Sequence, residues 1–394
     1  MIACQNTKES QPFNLHWEKA GQLPGGENGT PHPGLAGAIS GMVQNQLIIA
    51  GGANFPDALP WEGGTKTYYT DIFTWSIDSK SNLQFQNTPG QLPYKVAYAA
   101  VATTPQGIVF AGGENETGLL ANVSLLTIDT TTNEWVINAL KPLSVPTTHA
   151  SATCLNNEVF IAGGETGKGA TAAVWMMNLK DTSKGWQALP DLPHAASDGV
   201  LAAVALSSGE TNLYFAGGRC RQPNGISLHY NNVYKLSAEN GQWEPCASLP
   251  YGLSAASGAI SPGEKWFIFS GDKGETFEKV EKLLVKIANT PDSAEKEKLI
   301  KEKAAIQSAH PGFSKQVLIY DFNLDKWTTS DSIRFEAPVT TNAFFYHNKA
   351  YLCSGEVRAG VRTPFILSAT IIHEIPTNRR KPGTDDHLGI PNGK

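Results

Sequence analysis

The chain has 394 residues, 17% charged and 41% hydrophobic, with 38 glycines and 24 prolines. Its 31 basic and 36 acidic residues leave a net charge of −5, which argues against nucleic acid as a main partner, since that needs a basic face. No apolar run approaches the ~18 residues of a membrane span. The scattered Cys4, Cys154, Cys220, Cys246 and Cys353 form no C-x-x-C pair, so neither a zinc site nor a disulfide scaffold is expected. What remains is a soluble, turn-rich, all-β protein.

In chain order, Met1-Ile-Ala-Cys4-Gln looks like the end of a bacterial lipoprotein cleavage site, with Cys4 as the lipidated residue; the alternative is an ordinary cytosolic N-terminus with an accidental cysteine. Next comes Trp17, followed six residues later by Leu23-Pro24. An apolar run ending in diglycine then recurs: LIIAGG at Gly51-Gly52, IVFAGG at Gly112-Gly113, VFIAGG at Gly163-Gly164 and LYFAGG at Gly217-Gly218, with degraded copies at Ser270-Gly271 and Ser354-Gly355. The steps are 61, 51, 54, 53 and 84 residues. The Trp…Leu-Pro signal repeats at Trp186 with Leu192-Pro193 and at Trp243 with Leu249-Pro250, and more loosely at Trp135 and Trp327.

Each unit holds about four short β-rich runs, enough for one small antiparallel sheet. Such a sheet cannot bury its faces alone, but several packed radially can. Glycine after the second strand permits positive φ and close backbone approach. The tryptophan, read as closing the third strand, offers a wedge between neighbouring sheets. The pattern resembles the kelch repeat, and six copies imply a six-bladed kelch-type β-propeller over residues 13–375. Because Trp17 lacks a preceding diglycine and Ser354-Gly355 lacks a following terminator, blade six is expected to combine strands from 337–375 with an outer strand from 15–24. Residues 1–12 and 376–394 are expected to be mobile ends.

The long fifth step places extra chain at 276–310, in blade five. Residues 278–303 carry 13 charges in 26 positions. Phe277, Val280, Leu284 and Ile287 recur at helical spacing, and Asp292/Ser293 could cap a second helix ending near Gln307. A helical hairpin follows, either a solvated decoration or a lid over the mouth of the ring.

In a four-stranded meander the loop between strands two and three lies at the same end as the inter-blade loop. One opening is therefore faced by 54–66, 219–229, the insertion and 356–362, together with the inter-blade residues His32, Tyr94, Lys95, His149, His194, Asp198, Tyr251 and Thr340. Four of only seven arginines, Arg219, Arg221, Arg358 and Arg362, fall in these loops. A planar guanidinium matches a carboxylate bidentately, which suggests an anionic small molecule. The plainer alternative is that some pair with neighbouring acids, Glu356 with Arg362 for example.

The segment SGEVRAGVRT (354–363) resembles the hallmark of the bacterial N-acetylneuraminate epimerase family, the sialic acid mutarotases, and GGANFPDALPWEGGTKTYYTDIF (51–73) resembles that family's long loop, its aromatic-or-His/Glu-Gly signature falling on Trp61-Glu62-Gly63. The order is rotated, so the chain looks like a cyclically permuted branch. The resemblance implies that Glu356 and Arg362 carry the activity, Glu356 as base and Arg362 as carboxylate clamp. Arg219, Glu62, Asn54 and His194 are weaker candidates for orienting the sugar hydroxyls or donating a proton, and Arg358 for binding substrate. It implies a small-molecule sugar acid as partner, no metal or other cofactor, and a periplasmic location, a lipid anchor at Cys4 fitting the latter without excluding the cytoplasm. Two rivals stand beside it. SGDKGETF (270–277) fits the Asp-box turn of sialidases, though only one copy occurs. A non-enzymatic kelch ring that binds protein partners would have no need of Glu356.

Overall fold

Six times along the chain, an apolar strand reaches a left-handed pair of small residues, turns, and returns. The computed structural model describes residues 13–372, except 27, 87–89, 133 and 238–240. The readings made for 1–12, Cys4 and 376–394 lie outside the described residues. Blade one is built from Ile39–Val43, Gln46–Ala50, Ile72–Ile77 and Leu83–Gln86, each strand antiparallel to the next and the first innermost. Blades two to five repeat that order, starting at Ala100, Ser151, Ser197 and Ser257.

Blade six joins the two ends of the described chain. Ala343–Tyr346, Lys349–Cys353 and Phe365–Ile372 form its inner strands, and Asn14–Gln22 adds the outer one. Asn14 pairs with Ile372 and Gln22 with Phe365. The molecule is a six-bladed β-propeller. Its core is a set of interfaces between blades: Ile39, Ile48 and Ala50 of blade one meet Ile108, Phe110 and Leu126 of blade two, and similar clusters fill the other five seams. No sheet could bury these side chains by itself, so each blade depends on its neighbours.

Two expectations are corrected. The repeated tryptophan does not close the third strand. Trp135 and Trp243 open the fourth, outermost strand, Trp327 stands second in it, Trp186 sits just before it and Trp17 lies within it. A tight turn ends the third strand first, as where the Asp129 N–H donates to Glu134 O. From the outer strand the indole still reaches the neighbouring blade: the Nε1–H of Trp186, Trp243 and Trp327 donates to Lys141 O, Pro190 O and Ala247 O at 2.9, 2.9 and 2.8 Å. The insertion is a helical hairpin in blade five, α1 (Glu275–Asn289) and α2 (Ser293–Ser308), with Asp292 capping α2 by accepting from Glu295 N. Its buried stripe, however, runs through Leu283 rather than Leu284, which is 41% exposed. Positions three and four residues on from Val280 are both near the helix's inner face, and Leu283 is the one that turns inward. Among the described residues no helix is long and apolar enough to cross a membrane.

Candidate active site

Each blade is entered through one residue in the left-handed region: Gly37, Tyr98, His149, Asp198, Ala255 and Thr340, with φ between +50° and +62°. Their backbones form a closed ring of hydrogen bonds around the axis. Tyr98 N donates to Gly37 O at 2.8 Å, His149 N to Tyr98 O at 3.0 Å, Asp198 N to His149 O at 3.0 Å, Ala255 N to Asp198 O at 2.9 Å, Thr340 N to Ala255 O at 3.3 Å, and Gly37 N to Thr340 O at 2.7 Å. A left-handed conformation costs a side-chain-bearing residue roughly 1–2 kcal/mol, and such strain persists where surrounding structure over-determines it. These six residues separate two axial cavities, one of about 490 Å³ and one of about 370 Å³.

The smaller cavity lies at the end bearing the inter-blade loops, and beside the ring runs a second layer of six equivalent positions, of which Arg219, Asp272 and Glu356 line the cavity. The residue before each ring position bridges to the residue after each diglycine: Ala36 to Ala53, Ala97 to Glu114, Thr148 to Glu165, Ser254 to Asp272 and Val339 to Glu356. Ser197 pairs with Arg219 in the same way. The repeat thus carries Glu114, Glu165, Arg219, Asp272 and Glu356 to equivalent places around the mouth.

Glu356 and Arg362 face each other across a two-stranded hairpin and both line this cavity. Arg362 Nη2 lies 3.5 Å from Glu356 Oε2, and the arginine side chain is only 4% exposed. Its guanidinium sits 4.8 Å from the Phe55 ring centroid, while Nε and Nη1 are buried without a partner. Glu356 Oε1 accepts the Gly360 N–H at 2.8 Å. The pair does bridge, yet most of the guanidinium's donors stay unused. Leaving such donors buried and unsatisfied is costly, so the geometry favours a ligand that supplies acceptors.

Arg219 is spoken for within the protein. Its Nε lies 3.0 Å from Asp198 Oδ2, its Nη2 3.7 Å from Glu165 Oε2, and its guanidinium stacks 5.0 Å from Phe277 of α1. Asp198 Oδ1 is 2.6 Å from His149 Nδ1, and His149 stacks on Tyr98 at 4.6 Å. Burial pushes the Asp198 carboxyl up, but His149 and Arg219 outweigh it and hold it far below the usual carboxylate range. For His149, burial lowers the pKa and Asp198 more than reverses this, leaving it raised. Burial likewise pushes the Glu114 carboxyl up, and Lys66 and Tyr68 overcome it and leave the carboxyl lowered. The insertion covers one flank, with Thr276, Phe277, Val280, Gln307 and His310 lining the cavity. It is clasped to blade four by the buried Glu281, which accepts from Ser227 N at 2.6 Å and Ser227 Oγ at 2.9 Å.

Of the sequence-derived candidates, Glu356, Arg362 and Arg219 come together on the cavity wall. Asn54, Glu62, His194 and Arg358 are not among the residues lining it. Asn54 is buried, donating to Gly34 O and accepting from Tyr69 OH. Glu62 Oε2 accepts from Leu59 N, closing a short turn. His194 stacks on Tyr230 and meets Tyr234 edge-on. Arg358 pairs with the exposed Glu336 at 3.4 Å. Sequence reasoning passed over Tyr98, Glu114, Glu165, Asp272 and His310. The first residue after each diglycine would have found three of them. Among the described residues no group of three or more His, Cys, Asp or Glu side chains is arranged to hold a metal ion.

A sequence model described as N-acetylneuraminate epimerase matches residues 140–380, more than half of the chain. Proteins named N-acetylneuraminate epimerase from Brucella suis and Vibrio vulnificus are 32% identical over 112 residues and 35% identical over 107. These matches span 26% and 25% of this chain, and the chain spans about a quarter of the length of these curated relatives, 27% and 26%. A solved structure titled that of YjhT superposes with a TM-score of 0.59 over 86% of this chain and 98% of its own, at 12% identity. That likeness concerns the fold.

Proposed function

Because this chain belongs to the N-acetylneuraminate epimerase family, as the match over 140–380 shows, we propose that it interconverts the α and β anomers of N-acetylneuraminate or a closely related sugar acid. The observation that carries this reading is the buried Arg362, with two unpartnered nitrogens beside Glu356 in a cavity of about 370 Å³, within the ~300–1,000 Å³ typical of small-molecule sites. A sialic acid bears a hydroxyl and a carboxylate on its anomeric carbon. The carboxylate supplies the acceptors Arg362 lacks, and it fixes the anomeric hydroxyl near Glu356.

In the proposed reaction the Glu356 carboxylate takes the anomeric hydroxyl proton, an acid protonates the ring oxygen as its bond to the anomeric carbon breaks, and the open keto acid rotates before closing on its other face. Arg362 holds the carboxylate throughout and offsets negative charge developing at the oxygen. The rotated order of the family motifs, a kelch-type repeat, a role in carbohydrate metabolism and a periplasmic location belong to the same proposal. They rest on the motif order in the sequence and on the chemistry of the ligand.

The test is one-dimensional proton NMR of freshly dissolved N-acetylneuraminate. The protein should hasten anomer equilibration and Glu356→Gln should not; equal rates for the two would overturn the proposal. Release of the aglycone from a sialoside above background would replace it with a hydrolase.

A further inference from the structure

Ring opening needs a second proton, delivered to the ring oxygen as the carbon–oxygen bond breaks, and Glu356 is occupied with removing the first. We infer that His149, held by Asp198 on the opposite side of the ring axis from Glu356, is the group that donates it. This rests on the isomerase reading above.

Placement comes first. His149 introduces blade three and Glu356 belongs to blade six, the diametrically opposed sheets of a six-fold ring, and both side chains line the same cavity. A base and an acid approaching one substrate from two sides can act on neighbouring oxygens together. Holding comes second. The left-handed backbone of His149 (φ +53°) is locked by the ring of main-chain hydrogen bonds, one imidazole face rests on Tyr98, and Nδ1 is fixed by Asp198 Oδ1 at 2.6 Å. With Nδ1 committed, Nε2 is the nitrogen free to give and take a proton, and the carboxylate stabilises the imidazolium.

Charge decides between histidines. The groups facing His149 are Asp198 and Glu114, which favour its proton, Arg219, which opposes it, and the stacked Tyr98. The acids prevail. His310 also lines the cavity, but its Nδ1 accepts the Gly312 N–H at 3.0 Å, and burial moves its pKa down. Burial thus disfavours the protonated form that a proton donor needs.

The protons balance. On opening, Glu356 gains the hydroxyl proton and the His149 imidazolium gives one to the ring oxygen, which becomes a hydroxyl. On closing, His149 takes that proton back and Glu356 returns its own to the keto oxygen, so both groups end as they began.

The experiment follows anomer exchange by NMR between pH 5 and 9 for the wild type, His149→Asn, Asp198→Asn, His310→Gln and Glu356→Gln. It is paired with saturation-transfer NMR of N-acetylneuraminate binding. Asparagine tolerates the left-handed backbone at both ring positions. His149→Asn should lower the enzyme-dependent rate by roughly 10²-fold or more while substrate still binds. An acid works only while protonated, so the wild-type rate should fall as pH rises through the raised His149 value. Removing the Asp198 charge should bring that fall down by ~1 pH unit or more. If His149→Asn does not fold, the shift in Asp198→Asn decides. Exchange at the wild-type rate in His149→Asn, with Glu356→Gln inactive, would overturn this inference and leave the isomerase reading standing. The same holds if His310→Gln alone loses the rate. A wild type that does not hasten exchange removes both.

Discussion

The two cavities of the ring share one partition and differ in nearly everything else. The larger is walled by the innermost strands, with Ala102, Ala152, Ala202, Ala203, Ser257 and Ala259 along it. Small side chains are frequent where the six strands converge, although Leu201, Trp266 and Phe345 also reach this cavity. The smaller is walled by loops and the helical insertion, where Glu356, Arg362, Arg219, Lys66 and His149 gather among Phe55, Trp61 and Phe277. Size alone would favour the larger cavity as a ligand site. Chemistry favours the smaller, because the loops after the diglycines bring Glu356, Arg362, Arg219 and Lys66 to it, and loops on a rigid scaffold are where binding groups concentrate.

The sharpest way to break that contrast is to alter one residue on each side. Glu356→Gln should abolish enzyme-dependent anomer exchange, a loss on the order of 10²–10⁴-fold for a proton-transfer group. Thr103→Ala, on the wall of the larger cavity, should leave the rate unchanged. Equal losses would mean that both openings take part in the chemistry.

Next in size is Arg362→Lys. A lysine keeps the charge but gives up the planar fork, and hydrogen bonds to charged groups are worth about 1.5–3 kcal/mol each. Binding of N-acetylneuraminate, read by titration calorimetry, should weaken by roughly 10–10²-fold. Arg358→Lys, whose side chain is 47% exposed, should bind as the wild type does. If the two variants behave alike, the buried guanidinium is not the clamp.

These variants also mark how far the sequence could be read. The repeat was legible because a diglycine answers a steric demand: a Cβ on Gly112 (φ +66°) would sit 2.1 Å from Thr147 O. The degraded copies keep the conformation without the glycine, Ser270 and Ser354 both at φ +61°. Ser354 makes use of its hydroxyl, donating to Thr363 O and accepting from Leu35 N. The closure at Trp17 was legible for a similar reason, since half a blade at each end has only one partner. Less legible was which arginine of 354–363 faces the cavity. Simple alternation would put Glu356 and Arg358 on one face, but an irregularity in the register between them turns Arg358 outward and leaves Glu356 opposite Arg362. His149, Asp198 and Thr340 were placed at the opening by the repeat, but the ring they form with Tyr98 and Ala255 was not legible, because those residues share a backbone conformation and no side-chain chemistry.

That ring can be tested where it has no side chain. Gly37 (φ +62°) would place a Cβ 2.5 Å from Tyr98 N and Tyr98 Cδ1. Gly37→Ala adds left-handed strain of roughly 1–2 kcal/mol and pushes on the residue beneath the mouth. The expected result is a lower unfolding temperature together with slower exchange. A loss of stability with an unchanged exchange rate would show the ring to be scaffold alone.

The smallest effect belongs to the rim. Trp327 carries a hydrogen bond from blade five to Ala247 O after blade four, and its ring packs at 4.9 Å on Tyr320. Trp327→Phe removes the donor and keeps most of the apolar face, so unfolding free energy should fall by about 1 kcal/mol, measured by urea denaturation. Because the seam lies far out on the blades, anomer exchange should not change. A stability loss of that size with intact exchange would mean that the outer strands hold the blades together and the axial residues alone set the chemistry. Slower exchange in Trp327→Phe would mean instead that the geometry of the mouth is transmitted through the seams between blades, and the division between scaffold and site drawn from the two cavities would have to move outward.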